Sequence, residues 1–297
     1  MVRAYHGVHV SCRPMNDALI VSALSLVPKH AASFGMGALA RLRLPGPLLR
    51  AALRFYIWKY GVNLEEAEHP LGSYTSLVDF FTRALKPGLR TVDTLADSIV
   101  SPADGKVYAC GIVRDDRIPQ SDTQHFSAKE LLGGEEGYEG GAYAVIYLSP
   151  RDYHRVHTPA AGSVTRFQYL PGALWPVFPA ATRQIPYLFS RNERLCARIA
   201  TGAGELALVM VGAFGVGRIR VVFDPIVSNT SGEAVPSRVV TPPHALQRGD
   251  EFGRFEMGST VVLLFPPGAV EWTVNAGYPV RVGERIARVL PAGPPKV

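Results

Sequence analysis

From about residue 98 onward the chain is a succession of short β-rich runs cut by glycine and proline, a texture that points to a mainly antiparallel sheet. The runs are Ala142 to Leu148, Ser163 to Leu170, Leu206 to Val211, Arg218 to Phe223, Thr260 to Phe265 and Glu284 to Leu290. Each has the length of a strand. Between them Ser149-Pro150, Pro171-Gly172, Gly202-Ala203-Gly204 and Pro266-Pro267-Gly268 supply turn chemistry. Residues 114 to 141, rich in Gly, Asp and Glu, read as a mobile loop, and no internal repeat is evident. Upstream the period changes. Leu48, Leu49, Ala52, Leu53, Tyr56, Ile57 and Tyr60 recur at helical spacing. A second helical pattern over Ser73 to Leu85 puts Leu77, Phe80, Phe81 and Leu85 on one face, and Lys86-Pro87-Gly88 ends it. The fold class expected is α+β: a helical segment over 1–90 followed by a mainly antiparallel β region over 91–297.

Charge separates the two parts in the same way. Residues 1–60 hold eight Lys and Arg against Asp17 alone, more positive charge than the +6 of the whole chain. From Leu48 to Tyr60, Arg50, Arg54 and Lys59 fall mostly opposite the apolar stripe, the pattern of a basic amphipathic helix lying on a membrane surface. The uncharged run Ala18 to Val27 is about half the roughly 20 residues that span a bilayer, so no full transmembrane span is expected. No clean small-x-small cleavage site follows it. The basic residues alternate with long aliphatic ones, which argues against a nucleic-acid stripe. Cys12, Cys110 and Cys196 are too few and scattered for a disulfide framework, which favours a reducing compartment. Gly212-x-x-Gly215-x-Gly217 misses dinucleotide-loop spacing and precedes a β-like run instead of a helix.

Three segments carry chemistry. Ser101-Pro102-Ala103-Asp104-Gly105 follows an apolar pair and, alone, reads as a turn. Ser149-Pro150-Arg151-Asp152-Tyr153-His154-Arg155-Val156-His157 puts two histidines three apart in a setting too polar for a core. No third metal ligand of comparable clarity accompanies them and the arginines repel a cation, so anion binding and acid/base work suit the cluster better than a metal. Gly258-Ser259 precedes the apolar run Val261 to Phe265; without a Cβ at Gly258, its carbonyl is open to the Ser259 hydroxyl.

Together these segments resemble the phosphatidylserine decarboxylase family in its proteobacterial and mitochondrial branch. They are similar to its Asp-Gly segment, its Ser-Pro-Arg-Asp-Tyr-His-Arg-x-His block and its Leu-Gly-Ser-Thr processing site. Leu170-Pro171-Gly172, Asn192-Glu193-Arg194 and Phe80-Phe81-x-Arg83 also resemble family segments. Met257 stands where the family usually has Leu, a swap close enough in volume that processing is expected to survive.

The resemblance implies that Ser259 attacks the Gly258 carbonyl with His157 as base and Asp104 orienting the imidazole. Cleavage between Gly258 and Ser259 then leaves chains 1–258 and 259–297, the second starting with a pyruvoyl group made from Ser259. That covalent cofactor, with no metal and no PLP, is the expected electron sink for decarboxylating phosphatidylserine to phosphatidylethanolamine and CO2. His154 is assigned to decarboxylation. Arg151 or Arg155 is assigned to phosphate, the alternative being structural pairing with Asp152 or Glu193. Expected partners are phosphatidylserine, the protein's own cleaved chains and a second copy in a homodimer, without nucleic acid. The expected location is peripheral, on the cytoplasmic face of the inner membrane if the source is bacterial. Two other readings remain open: a pyruvoyl decarboxylase of another serine-headed lipid, and a serine hydrolase using Ser259, His157 and Asp104, which would lack the G-x-S-x-G elbow.

Overall fold

A computed structural model describes residues 29–215, 218–229, 235–256 and 259–291. The apolar run 18–27, Met257 and Gly258 lie outside the described residues. The helices are α1 (Lys29–Arg41), α2 (Gly46–Tyr60), α3 (Leu77–Phe81), α4 (Ala128–Leu131), α5 (Pro179–Gln184) and α6 (Leu188–Arg191). The strands are β1 (Ser98–Val100), β2 (Gly105–Ile112), β3 (Arg117–Pro119), β4 (His125–Ser127), β5 (Gly141–Leu148), β6 (Arg155–His157), β7 (Gly162–Leu170) and β8 (Arg194–Thr201). They continue with β9 (Gly204–Gly212), β10 (Ile219–Val221), β11 (Val235–Leu246), β12 (Glu251–Phe255), β13 (Ser259–Pro267), β14 (Val270–Trp272), β15 (Pro279–Val280) and β16 (Arg285–Val289).

One antiparallel sheet of eight strands, ordered β11-β7-β8-β9-β13-β5-β2-β15, organises the molecule. Its strand β13 lies between β9 and β5, and the period of two sends its apolar side chains to opposite faces. Val261, Leu263 and Phe265 enter one core and Val262 and Leu264 the other, all five fully buried. The sheets β1-β16-β14 and β10-β12-β6 cover the first core, contributing Ile99, Ile286, Val156 and Phe255. The hairpin β3-β4 and helices α4 to α6 cover the second with Ile118, Phe126, Leu131 and Phe189. The segment 114–141 is therefore not the loop its composition suggests. Its few apolar residues are spaced to plug the second core while the acidic ones face out.

The helical patterning over Ser73 to Leu85 also resolves differently. Only Leu77–Phe81 is α-helix, capped by the Ser76 hydroxyl, which accepts from Asp79 N at 3.1 Å. Leu85 instead bridges antiparallel to Ala67. Phe80 and Phe81 remain on a buried face, packed against Leu49, Leu53 and Tyr56 of α2. That packing reassigns the faces of α2. Part of the expected apolar stripe packs on the protein, while Leu48, Phe55 and Trp58 are exposed together with Arg50, Arg54 and Lys59. Phe34, Leu39 and Leu42 on and after α1 are exposed too. No helix among the described residues is long and apolar enough to cross a membrane.

Candidate active site

The histidine block is shaped by a local turn. The Asp152 carboxylate accepts from the backbone N and hydroxyl of Ser149 at 2.7 and 2.8 Å, folding 149–152 back on itself and sending Tyr153 and His154 inward. His154 is fully buried, which corrects the expectation that this cluster is too polar for a core: its charged neighbours are satisfied locally and the imidazole lies against Phe81, ring centroids 3.9 Å apart. A carbonyl only accepts, so His154 Nδ1, 2.9 Å from Asp152 O, carries the proton, and Nε2 is a buried lone pair with no partner among the described residues. Desolvation pushes its pKa down to about 3, backed by nearby Arg83, so this histidine is neutral.

His157 closes β6 and is fixed in the same tautomer. Its Nδ1 donates to Gly249 O at 2.8 Å, and Nε2 accepts from the Tyr153 hydroxyl at 3.1 Å. Burial lowers its pKa as well. Asp104 is not its hydrogen-bond partner. Both carboxylate oxygens are held by Arg90, which also reaches Glu66, and Oδ1 accepts from Val282 N at 2.9 Å. Asp104 acts on His157 only at longer range, as one of the charges that favour its protonated form. The backbone of Gly249 therefore sets the tautomer that a triad aspartate would otherwise set.

Ser259 is the first residue of β13, its Cα opposite Leu148 on one side and Gly212 on the other. The strand leading toward it is tied to the histidines: β12 pairs with β6, and Phe255 N donates to His154 O at 3.0 Å. Glu256 is clamped by Arg41 at 3.1 Å and Arg220 at 2.6 Å. His154 is thus held at the end of β12 that leads to Ser259, while His157 lies opposite Glu251 at its other end.

The two arginines separate. Arg155 bonds Glu251 at 2.9 Å and Thr82 O at 3.0 Å, so its charge is committed to structure, though to a partner other than Asp152 or Glu193. Arg151 is exposed, 3.8 Å from Asp152. It lines a polar cleft of about 520 Å³ with Arg83, Arg90, Asp104, Tyr153 and Arg281. Sequence reasoning missed Tyr153, Arg90 and Gly249 as site residues. Tyr153 stood inside the block already singled out, but the other two are brought in only by the tertiary fold.

Comparison with known proteins agrees with this architecture. Residues 77–288 match the family described as phosphatidylserine decarboxylase. A phosphatidylserine decarboxylase proenzyme of Myxococcus xanthus is 42% identical over 92% of this chain and 99% of its own length. Those of Anaeromyxobacter sp. and Marinobacter nauticus are 43% and 40% identical, over 91% and 93% of this chain and 98% and 99% of theirs. The chain is thus an enzyme of the decarboxylase class. It belongs to the phosphatidylserine decarboxylase family.

Proposed function

We propose that this enzyme decarboxylates phosphatidylserine to phosphatidylethanolamine and CO2, using a pyruvoyl group that it makes by cutting itself between Gly258 and Ser259. The observation that supports this most is the pair of buried, tautomer-fixed histidines tied by backbone to the strand leading into Ser259, which heads a buried central strand. In the cut, the Ser259 hydroxyl attacks the Gly258 carbonyl carbon and His157 Nε2 takes the hydroxyl proton once Tyr153 yields its place. The imidazole then returns that proton to the departing nitrogen, turning the peptide bond into an ester. Asp104, held by Arg90, steadies the imidazolium through space. Elimination of the ester and hydrolysis of the resulting dehydroalanine release ammonia and leave 259–297 beginning with the new carbonyl.

The surroundings suit such a group: it would stand at the head of a strand held by buried side chains, near a dry histidine whose Nε2 is unused. Once formed, the pyruvoyl group supplies a carbonyl that captures the substrate amine and an electron sink for the bond to CO2. His154 relays the proton that replaces CO2, its Nε2 lone pair taking that proton from water and passing it on. Arg151, exposed and paired with Asp152 only at 3.8 Å, is better placed for the phosphate than Arg155, which is bound to Glu251. The exposed Leu48, Phe55 and Trp58 with Arg50, Arg54 and Lys59 form the face that rests on the membrane, where each cation near anionic lipid is worth about 1 kcal/mol.

Phosphatidylserine vesicles incubated with purified protein test the reading. Wild-type protein is expected to release CO2 and form phosphatidylethanolamine, and Ser259→Ala to remain a single chain and do neither. A decarboxylating Ser259→Ala protein would refute it.

A further inference from the structure

Among the described residues, the chemistry above leaves unused two buried carboxyls, Glu256, which is paired with Arg41 and Arg220, and Glu193. Glu193 is 2% exposed; its Oε1 accepts from the Ser228 hydroxyl at 2.7 Å and Oε2 from the Tyr169 hydroxyl at 2.9 Å. Among the described residues no cation contributes to its environment. Desolvation therefore raises its proton affinity, offset only in part by the two hydroxyls and Asn229 N. A carboxylate so placed is a stronger base than one in water.

Its location gives that base a target. Gly212 N donates to Glu193 O at 2.8 Å, and Gly212 O accepts from Asn192 Nδ2 at 2.9 Å. Both backbone groups of Gly212 thus face away from β13, so Gly212 and Ser259 form a non-hydrogen-bonded antiparallel pair. In such a pair the Cα atoms stand about 4.5 Å apart and their Cα–H bonds point at one another. Glu193, Gly212 and Ser259 form a row across three neighbouring chain segments, and the middle member has no side chain. A Cβ on Gly212 would lie 3.5 Å from Leu174 Cδ2 and 3.6 Å from Glu193 Oε1, so the carboxyl stands beside the face that glycine leaves bare, next to the residue paired with Ser259.

We propose that Glu193 is the base that removes the Cα proton of Ser259 in the elimination step of self-processing. The inference rests on the self-cleavage reading above. The proton passes from Cα to Glu193, its electron pair becomes the Cα=Cβ double bond, the Cβ–Oγ bond breaks, and that pair leaves on the Gly258 carboxylate. No further reactant is needed. His157 is occupied in the earlier step, with Nδ1 bound to Gly249 O.

Freshly synthesised full-length Glu193→Gln tests this, because the ester that precedes elimination is split by neutral hydroxylamine and a peptide bond is not. The variant is expected to form pyruvoyl at least about 100-fold more slowly than wild type. It should accumulate a chain that hydroxylamine divides at 258/259, giving a 259–297 fragment that begins with intact serine by mass. Pyruvoyl formation at near the wild-type rate overturns the proposal. So does a folded variant, by thermal unfolding, that hydroxylamine leaves whole, since Glu193 would then act before the ester or only in packing. If Glu193→Gln fails to fold, Glu193→Asp decides. It should pass through a hydroxylamine-labile stage on its way to pyruvoyl, and an Asp variant with no such stage at any time overturns the proposal. A wild-type chain that never cuts itself would instead refute the self-cleavage reading.

Discussion

At the scale of single residues, the two histidines have nearly the same hydrogen-bond geometry and different surroundings. Each donates Nδ1–H to a backbone carbonyl, so each presents Nε2 as a lone pair. His157 meets a hydroxyl there and His154 meets no partner among the described residues. His157→Ala is therefore expected to block chain cleavage, and His154→Ala to cleave normally yet lose phosphatidylserine decarboxylation by about 100-fold or more. Denaturing electrophoresis and CO2 release separate the two, and the reverse pattern would exchange the roles. The depressed pKa of His154 also sets a pH response. Between its folded value of about 3 and the unfolded value of 6.5, only the unfolded state binds the proton. This contribution to stability is complete above about pH 6.5 and is lost as pH falls toward 3. The thermal midpoint of wild type should fall more steeply on acidification than that of His154→Asn, and parallel profiles would contradict the burial argument.

At the scale of elements, α2 has two jobs on two faces. Leu53, fully buried in the cluster that α2 forms with Phe80 and Phe81 of α3, is expected to cost about 2–5 kcal/mol as Leu53→Ala. Phe55→Glu with Trp58→Glu should leave stability nearly unchanged, since both side chains are exposed, yet weaken sedimentation with anionic vesicles severalfold. Retained vesicle binding would remove this face from the membrane account. The strands legible in the sequence were β5, β7, β9, β10, β13 and β16, each within a residue or two of the run that announced it, whether largely apolar as in β13 or mixed with polar residues as in β7. β8 was not among them; it carries Arg194 and Arg198. Both are buried, Arg194 donating to the carbonyls of neighbouring Asn192 and of Leu131 and Glu130, and Arg198 pairing with Glu135; apart from Asn192 these partners are 63 or 64 residues away. Helical spacing over Ser73 to Leu85 overstated α3 because Leu85 is recruited by Ala67. In the site, the His154 and His157 segment was readable from its own letters. Asp104's engagement with Arg90, and Gly249's with His157, depend on chain segments that only the fold brings together.

At the scale of the whole molecule, the strand that begins at Ser259 is thoroughly enclosed. It has strand partners on both sides, and five consecutive apolar side chains divided between two cores, each worth about 1.5–3 kcal/mol in burial. A cut at its head leaves every one of those contacts in place, so a 259–297 chain stays bound without a disulfide. The two chains are expected to copurify under native conditions and to separate in denaturant. The most direct test of the central claim is the intact mass of purified wild-type protein under denaturing conditions, before and after a carbonyl reagent. Two chains, 1–258 and 259–297, with the second lighter by one ammonia than a serine-initiated chain and shifted by the reagent, are predicted. A single chain of unbroken mass that the reagent leaves unchanged would contradict it.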